Sequence, residues 1–252
     1  MSEQITIVAP SWKRPTTCFT HQYLPDIRYV VCESQASSYE VEGLPVWICP
    51  DSAQGSVCRV RNWILDNADT DRVLIVDDDI HFLGRWNANR HKKMNTDEAM
   101  DFIAEGFELA EQFGVRFWGI NIIQDKGAYR EYTPFSLNNV VLGPFGGFIK
   151  ADCRYDERLP LKEDYDLSLQ MLNKHRQILR INYAHYVCKQ HTNKGGCASY
   201  RTISREQEQF EVLQRKWGSK IVSRDSGGSK VNRKKQQTYD INPIIRVPIA
   251  GV

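Results

Sequence analysis

Three carboxylates, Asp77, Asp78 and Asp79, follow at once on the apolar run Val73-Leu74-Ile75-Val76, and a second acidic group, Glu163, Asp164 and Asp166, opens a stretch with helical spacing. An aliphatic run that ends in acids fits a buried parallel strand delivering them to the carboxyl edge of a sheet, where α/β proteins bind ligands. Carboxylates this close repel one another unless a hard divalent cation neutralises them, so Asp77 and Asp79 point to Mg²⁺ or Mn²⁺ bridging a diphosphate. Taken together, the two clusters read as a site for a metal, a nucleotide and a sugar. The alternative for the first is a plain acidic strand-to-loop turn, and for the second a set of helix caps.

The elements that must position these acids alternate strand and helix, as expected of a mostly parallel sheet. Strands are expected at 5–9, 28–32, 44–49, 73–76, 117–123 and 146–150. Helices are expected at 56–68, where Val57, Val60, Ile64 and Leu65 share a face, at 96–113 with a cap at Asn95 or Thr96, and at 165–174. Arg85 to Lys93, just after the first acidic group, reads as a basic and aromatic loop.

With 252 residues, 41% hydrophobic and 25% charged, the chain can build one large α/β domain, expected over 1–214. The formal net charge of +2 excludes a polycation that coats nucleic acid, but the cations are unevenly placed. From Arg215 to Lys235, Arg215, Lys216, Lys220, Arg224, Lys230, Arg233, Lys234 and Lys235 face a single acid, Asp225, so 215–252 reads as a flexible basic arm. No run approaches the roughly 20 apolar residues that span a bilayer, and the N-terminus has no signal-peptide pattern. Seven scattered cysteines suit buried thiols better than disulfides, which leads us to expect a soluble, cytoplasmic protein with no membrane partner.

The ordered motifs resemble the nucleotide-sugar-binding GT-A fold of glycosyltransferases, specifically the inverting family 2 type, over roughly the first 195 residues. Ala9-Pro10-Ser11-Trp12-Lys13-Arg14-Pro15 is similar to that family's nucleotide loop, and Glu33 and Gln35 fall where it has an acid facing the uracil edge. Gly55 to Asn62 resembles its Gly-x-x-x-Ala-Arg-Asn helix with Val60 in place of the small residue, which leaves Arg61 in role. Asp77-Asp78-Asp79 sits at the DxD signature, Gly143 to Ile149 at the small-residue strand, and Glu163-Asp164-Tyr165-Asp166-Leu167 at the start of the base helix. The fold this implies is a Rossmann-like, mostly parallel sheet flanked by helices.

By the same resemblance, Asp79 ligates the metal, and Asp77 holds the ribose or reaches the metal through water. Pro10, Ser11, Arg14, Glu33, Gln35, Arg61, Asp77, Asp78 and Lys194 then hold the nucleotide sugar. Inverting transfer needs a carboxylate opposite the departing nucleotide, and Asp164 is the choice for this base, with Glu163 the rival and Asp166 structural. His191 is expected to complete the metal shell, with Lys194-Gly195-Gly196 wrapping the diphosphate, whereas His185 reads as a satisfied core or hinge histidine. A competing zinc site would draw on His185, Cys188, His191 and Cys197.

A narrower resemblance, carried by Asp77-Asp78-Asp79-Ile80, Lys162 to Leu167, Lys194 to Arg201 and the basic arm, is to the TET-associated glycosyltransferases, phage relatives of the base J glucosyltransferase. It implies transfer of a hexose, glucose first, from a uridine-diphosphate sugar to 5-hydroxymethylcytosine in DNA, in the cytoplasm of a host bacterium. Arg224, Lys230, Arg233, Lys234 and Lys235 would contact DNA phosphates. A flipped base would need an aromatic pocket, for which Trp86, Trp118, Tyr129, Tyr132 and Phe145 are candidates. A surface polysaccharide, a lipid or a protein is the alternative acceptor.

Overall fold

The structure, a computed structural model, describes residues 4–188, 201–224 and 241–247. One ten-stranded mixed sheet organises it, in the order β3-β2-β1-β4-β9-β7-β10-β5-β6. Its first half is parallel: β1 (Ile5–Pro10) lies between β2 (Arg28–Cys32) and β4 (Arg72–Val76), with β3 (Val46–Cys49) outside β2. Every residue of β4 is buried, as the unbroken aliphatic run predicts, and its C-terminus presents the three aspartates at the carboxyl edge.

The second half is mixed. β9 (Phe145–Ile149) runs antiparallel between β4 and β7 (Phe117–Asn121), and β10 (Leu179–Cys188) runs parallel to β7. β8 (Phe135–Ser136) pairs with β10, and the hairpin of β5 (Ile80–Asn87) and β6 (Arg90–Lys93) closes the sheet. The expected basic loop at 85–93 is therefore a β-hairpin. Its polar composition hides the strand signal, and pairing of β5 with β10 supplies what the pattern lacks.

Helices cover both faces. α1 (Glu33–Val41) and α3 (Thr96–Gln112) help bury one apolar cluster, while α2 (Val57–Asn67) and α4 (Glu163–His175) help bury another. α3 begins at Asn95, whose side chain accepts from the Glu98 N–H while Glu98 reaches back to the Asn95 N–H, a complete capping box. Trp118 in β7 fills the core between α3 and β9. It fits because Gly106 and Gly147 lack side chains: a β-carbon at either would stand 2.2 Å and 2.1 Å from the indole.

α5 (Ile203–Trp217) packs on the outside of α4 through Phe210 and Leu213 against Leu159 and Leu169, joined by Val222 of β11 (Val222–Arg224), which pairs with β12 (Pro243–Ile245). The domain-to-arm boundary expected at 214/215 falls inside α5, and Arg215 and Lys216 are in its last turn. Lys216 is no solvated tail residue, since its ammonium binds Asp156 at 2.8 Å and Asp166 at 2.9 Å. Fully buried Asp166 also accepts from Trp217 Nε1 at 2.8 Å and Gln170 Nε2 at 2.7 Å, the structural part expected of it. A second tie joins Lys162, just before α4, to buried Glu206 of α5.

No helix among the described residues is long and apolar enough to cross a membrane.

Removing the fully buried Asp166 carboxylate takes the shared acceptor from the Lys216 ammonium, the Trp217 indole N–H and the Gln170 amide, so Asp166→Ala should lower unfolding free energy by about 1–3 kcal/mol in a urea titration. Hydrogen bonds from Arg158, and from Lys216 against the cost of burial, hold Asp156 well below the usual carboxylate range. Its contribution is complete above the ordinary pKa of an unfolded aspartate near 4 and drains as pH falls below it. Asp156→Asn should therefore reduce stability at pH 7 and flatten the loss of stability seen on acidification, by urea midpoints measured across pH 2–7.

Candidate active site

The loop after β1 is built around the middle aspartate. Asp78 is fully buried, and its carboxylate takes Arg14 in a fork, Nε at 2.9 Å and Nη2 at 2.6 Å, and also the Ser11 hydroxyl. Ser11 in turn meets the Tyr39 hydroxyl at 2.9 Å, and that hydroxyl accepts from the Arg14 N–H at 3.3 Å. Thr20 completes the frame: its hydroxyl donates to the Asp77 carbonyl at 2.8 Å and accepts from the Ile80 N–H at 2.9 Å. A bidentate guanidinium is the geometry that makes a buried carboxylate tolerable. Asp78, Ser11 and Arg14 are thus bound to one another, and they fix the loop on which Pro10 ends β1.

With Asp78 committed inward, Asp77 and Asp79 remain for the edge. Asp79 is 6% exposed, and burial, with repulsion from Asp77 and Asp78, pushes its carboxyl up to about 7. Among the described residues no lysine or arginine forms an ion pair with Asp79. An under-neutralised pair of hard oxygen donors fits a divalent cation, and Asp79 with Asp77 would hold it.

Arg61 joins the two acidic clusters. Standing on the inner face of α2, it lies 3.7 Å from Asp77 and 3.1 Å from Glu163, and it stacks over the Tyr155 ring with 5.3 Å to the centroid. Asn62, its neighbour, clamps the same Tyr155, donating to its carbonyl at 2.9 Å and accepting its N–H at 2.7 Å. Burial and the adjacent Asp164 push Glu163 up to about 7 against the pull of Arg61. Asp164 is held by two backbone donors, Gly143 N–H to Oδ2 at 2.9 Å and its neighbour Tyr165 N–H to Oδ1 at 2.8 Å. Gly143 takes a φ of 77°, and a β-carbon there would stand 2.1 Å from the hydroxyl of buried Tyr186. The site needs glycine at this position on both counts.

Asp77, Asp79, Arg61, Glu163 and Asp164 thus converge at the carboxyl edge. Glu33 lies exposed at the first turn of α1, beyond β2. Gln35 accepts from the Lys13 N–H at 2.8 Å, and its amide nitrogen is buried without a hydrogen-bond partner, a donor available to a ligand over this loop. His185 is buried, with its Nε2 2.8 Å from His91 Nε2 and a pKa lowered by burial, the core role expected of it. His191, Lys194 and Cys197 lie outside the described residues, as do Lys230, Arg233, Lys234 and Lys235, while Arg224 is exposed at the end of β11.

The aromatic expectation needs correction: Trp118 and Phe145 are core, 0% and 1% exposed, and cannot line a pocket, whereas Tyr132 is 76% exposed. Tyr39, Thr20, Tyr155 and Tyr186 were not read from sequence as site residues, because nothing local distinguishes a tyrosine or threonine that serves a site from one that fills a core or a turn. Asp152, Cys153 and His175 also cluster within 4.8 Å, but Arg116 and Lys174 bind the Asp152 carboxylate, each at 3.0 Å, leaving no place for a cation.

The family model for TET-associated glycosyltransferases matches residues 5–196. No curated protein matches the chain. Among solved structures, glucosyl-3-phosphoglycerate synthase from Mycobacterium tuberculosis, in complex with Mn²⁺, UDP-glucose and phosphoglyceric acid, is similar at 10% identity and a TM-score of 0.53, covering 89% of this chain and 84% of that one. The mannosyltransferase PcManGT from Pyrobaculum calidifontis, in complex with GDP-mannose and Mn²⁺, is similar at 13% identity and a TM-score of 0.52, covering 85% and 65%. These likenesses establish the GT-A fold.

Deleting the cation between Asp77 and Glu163 leaves two partly buried carboxylates uncompensated. Arg61→Met should cost about 3–5 kcal/mol of unfolding free energy by urea denaturation, and Arg61→Lys should recover only part of it, since an ammonium cannot span both acids.

Proposed function

Because the chain belongs to the TET-associated glycosyltransferase family, we propose that it transfers a hexose, glucose first, from a UDP-sugar to 5-hydroxymethylcytosine in DNA, with inversion at the anomeric carbon. The observation that carries this reading is Arg61, whose guanidinium lies between Asp77 on the metal side and Glu163, next to the base, on the other. A donor diphosphate at the Asp77–Asp79 edge thereby faces a carboxylate on the opposing helix start. Two structures with this fold, one a complex with UDP-glucose and Mn²⁺ and the other with GDP-mannose and Mn²⁺, support a nucleotide-sugar donor and Mn²⁺ or Mg²⁺ here.

In this mechanism the Asp164 carboxylate takes the proton of the acceptor hydroxymethyl group as its oxygen attacks the anomeric carbon, and the bond from that carbon to the diphosphate oxygen breaks. The Gly143 and Tyr165 N–H groups hold each Asp164 oxygen by one bond, which fixes the carboxylate's direction and leaves each oxygen a lone pair for the proton. Asp79 and Asp77, with His191 as the further ligand, would hold a divalent cation, whose chemistry there would be charge neutralisation at the leaving diphosphate. Arg14 and Ser11 keep the nucleotide loop in place; Glu33 and Gln35 are assigned to the nucleobase and, by the family resemblance alone, Lys194 to the diphosphate.

The deciding experiment is mass spectrometry of nucleosides from duplex DNA containing 5-hydroxymethylcytosine, incubated with the protein, Mn²⁺ and a panel of UDP-sugars. A hexose mass on that nucleoside with one donor is the expected result. Donor hydrolysis without any nucleoside product would move the acceptor to a glycan, lipid or protein. Asp164→Asn should lower kcat by about 10²–10⁴-fold with donor affinity retained, and proton NMR of the product should show inverted anomeric configuration. Retention would remove the base role from Asp164.

A further inference from the structure

Directly after the aspartates, residues 80–93 fold as the β5–β6 hairpin and carry Arg85, Arg90, Lys92 and Lys93 without one acidic residue. We propose that this hairpin is the surface on which the phosphate backbone of the duplex acceptor rests, a proposal that stands on the DNA reading given above. Three observations support it.

The first is place. Beginning at Ile80, β5 leaves Asp79 with no intervening loop, and its partner β10 carries Tyr186, against which Gly143 and so Asp164 are set. From the base the contacts run on: Ile122 lies within 3.5 Å of where a Gly143 β-carbon would stand, and Gln124 meets His91 of β6 at 3.5 Å. Ile122 and Ile123, 41% and 46% exposed, form an apolar step between the base and the hairpin. A duplex lying on β6 would therefore bring its bases toward Asp164.

The second is charge. Glu98 of α3 pairs with Lys92 and lies 4.0 Å from Arg85, so one acid is shared by two cations. Among the described residues Arg90 and Lys93 have no acidic partner, and both are exposed; Lys93 sits 4.8 Å over the Phe82 ring. Such cations lose little on contacting phosphate and release condensed counterions from DNA when they do.

The third is rigidity. The hairpin is paired on one side to β10, and its other strand, β6, ends the sheet, so these cations project from a fixed ladder. Lysines on an edge strand also guard against edge-to-edge pairing, and that role predicts a different failure on mutation.

The test uses the full chain. Affinity for an unmodified duplex, read by fluorescence anisotropy across a salt series, should in Arg90→Gln/Lys93→Gln show a log–log salt slope shallower by about 2 than wild type, because two phosphate contacts are lost. Apparent affinity for hydroxymethylated duplex should fall about tenfold, while donor hydrolysis stays at the wild-type rate. A double variant that keeps the wild-type slope, with self-association in ultracentrifugation as its only change, overturns the proposal in favour of edge protection. It is equally overturned if replacing Lys230, Arg233, Lys234 and Lys235 by glutamine flattens the slope and the hairpin variant does not. If the wild type itself binds duplex with no salt slope and glycosylates no nucleoside, the DNA reading fails, and this surface with it.

Discussion

A carboxylate sealed inside a protein must be matched by a positive group, and the Asp78–Arg14 pair meets that demand at the centre of this molecule. Asp78 sits between two aspartates at the end of a fully buried strand, where three unmatched charges would oppose folding. The guanidinium of Arg14, with the Ser11 hydroxyl, takes the middle one inward. That contact draws the loop after β1 against the end of β4, and Tyr39 and Thr20 lock it there. Asp77 and Asp79 are then left at the sheet edge with too little positive charge of their own, which is the condition under which a divalent cation binds tightly.

The same logic of matched burial recurs on the base side. α4 starts at Glu163, and its first turn is steered from two directions: Arg61 reaches Glu163 from α2, while α5 grips the helix from outside through Lys216, Trp217 and the Lys162–Glu206 pair. Breaking either grip leaves a buried charge alone, so both are expensive to lose. The carboxylate assigned as base is not itself in those pairs. Asp164 is held by backbone N–H groups, which fix direction without supplying a cation to compete for its proton.

Much of this was legible in the chain. Uninterrupted aliphatic runs gave β1, β2 and β4 nearly to the residue, amphipathic spacing gave α2 and α3, and the capping pattern narrowed the cap of α3 to Asn95 or Thr96, of which the structure uses Asn95. What escaped shares a cause. α1 has only Ala36 and Tyr39 buried, so it carries no apolar stripe to find. β10 shifts register between Ile181 and His185 and so loses the strict alternation that marks a strand, and the β5–β6 hairpin hides its pairing behind charge. In each case tertiary contact, rather than local pattern, makes the element.

By itself the sequence determined that a buried parallel strand ends in acids, that a second acidic group opens a helix, and that nucleotide-loop, arginine-helix and glycine-strand motifs accompany them in order; composition and period are local properties, and they suffice for this. Only the tertiary structure decided which aspartate faces inward, that Arg61 bridges the two acidic clusters, its bond to Glu163 spanning 102 residues of chain, and that Trp118 and Phe145 belong to the core. Those are questions of which groups share a low-dielectric space. A charge is settled by its nearest neighbours in three dimensions, and spacing along the chain does not reveal them.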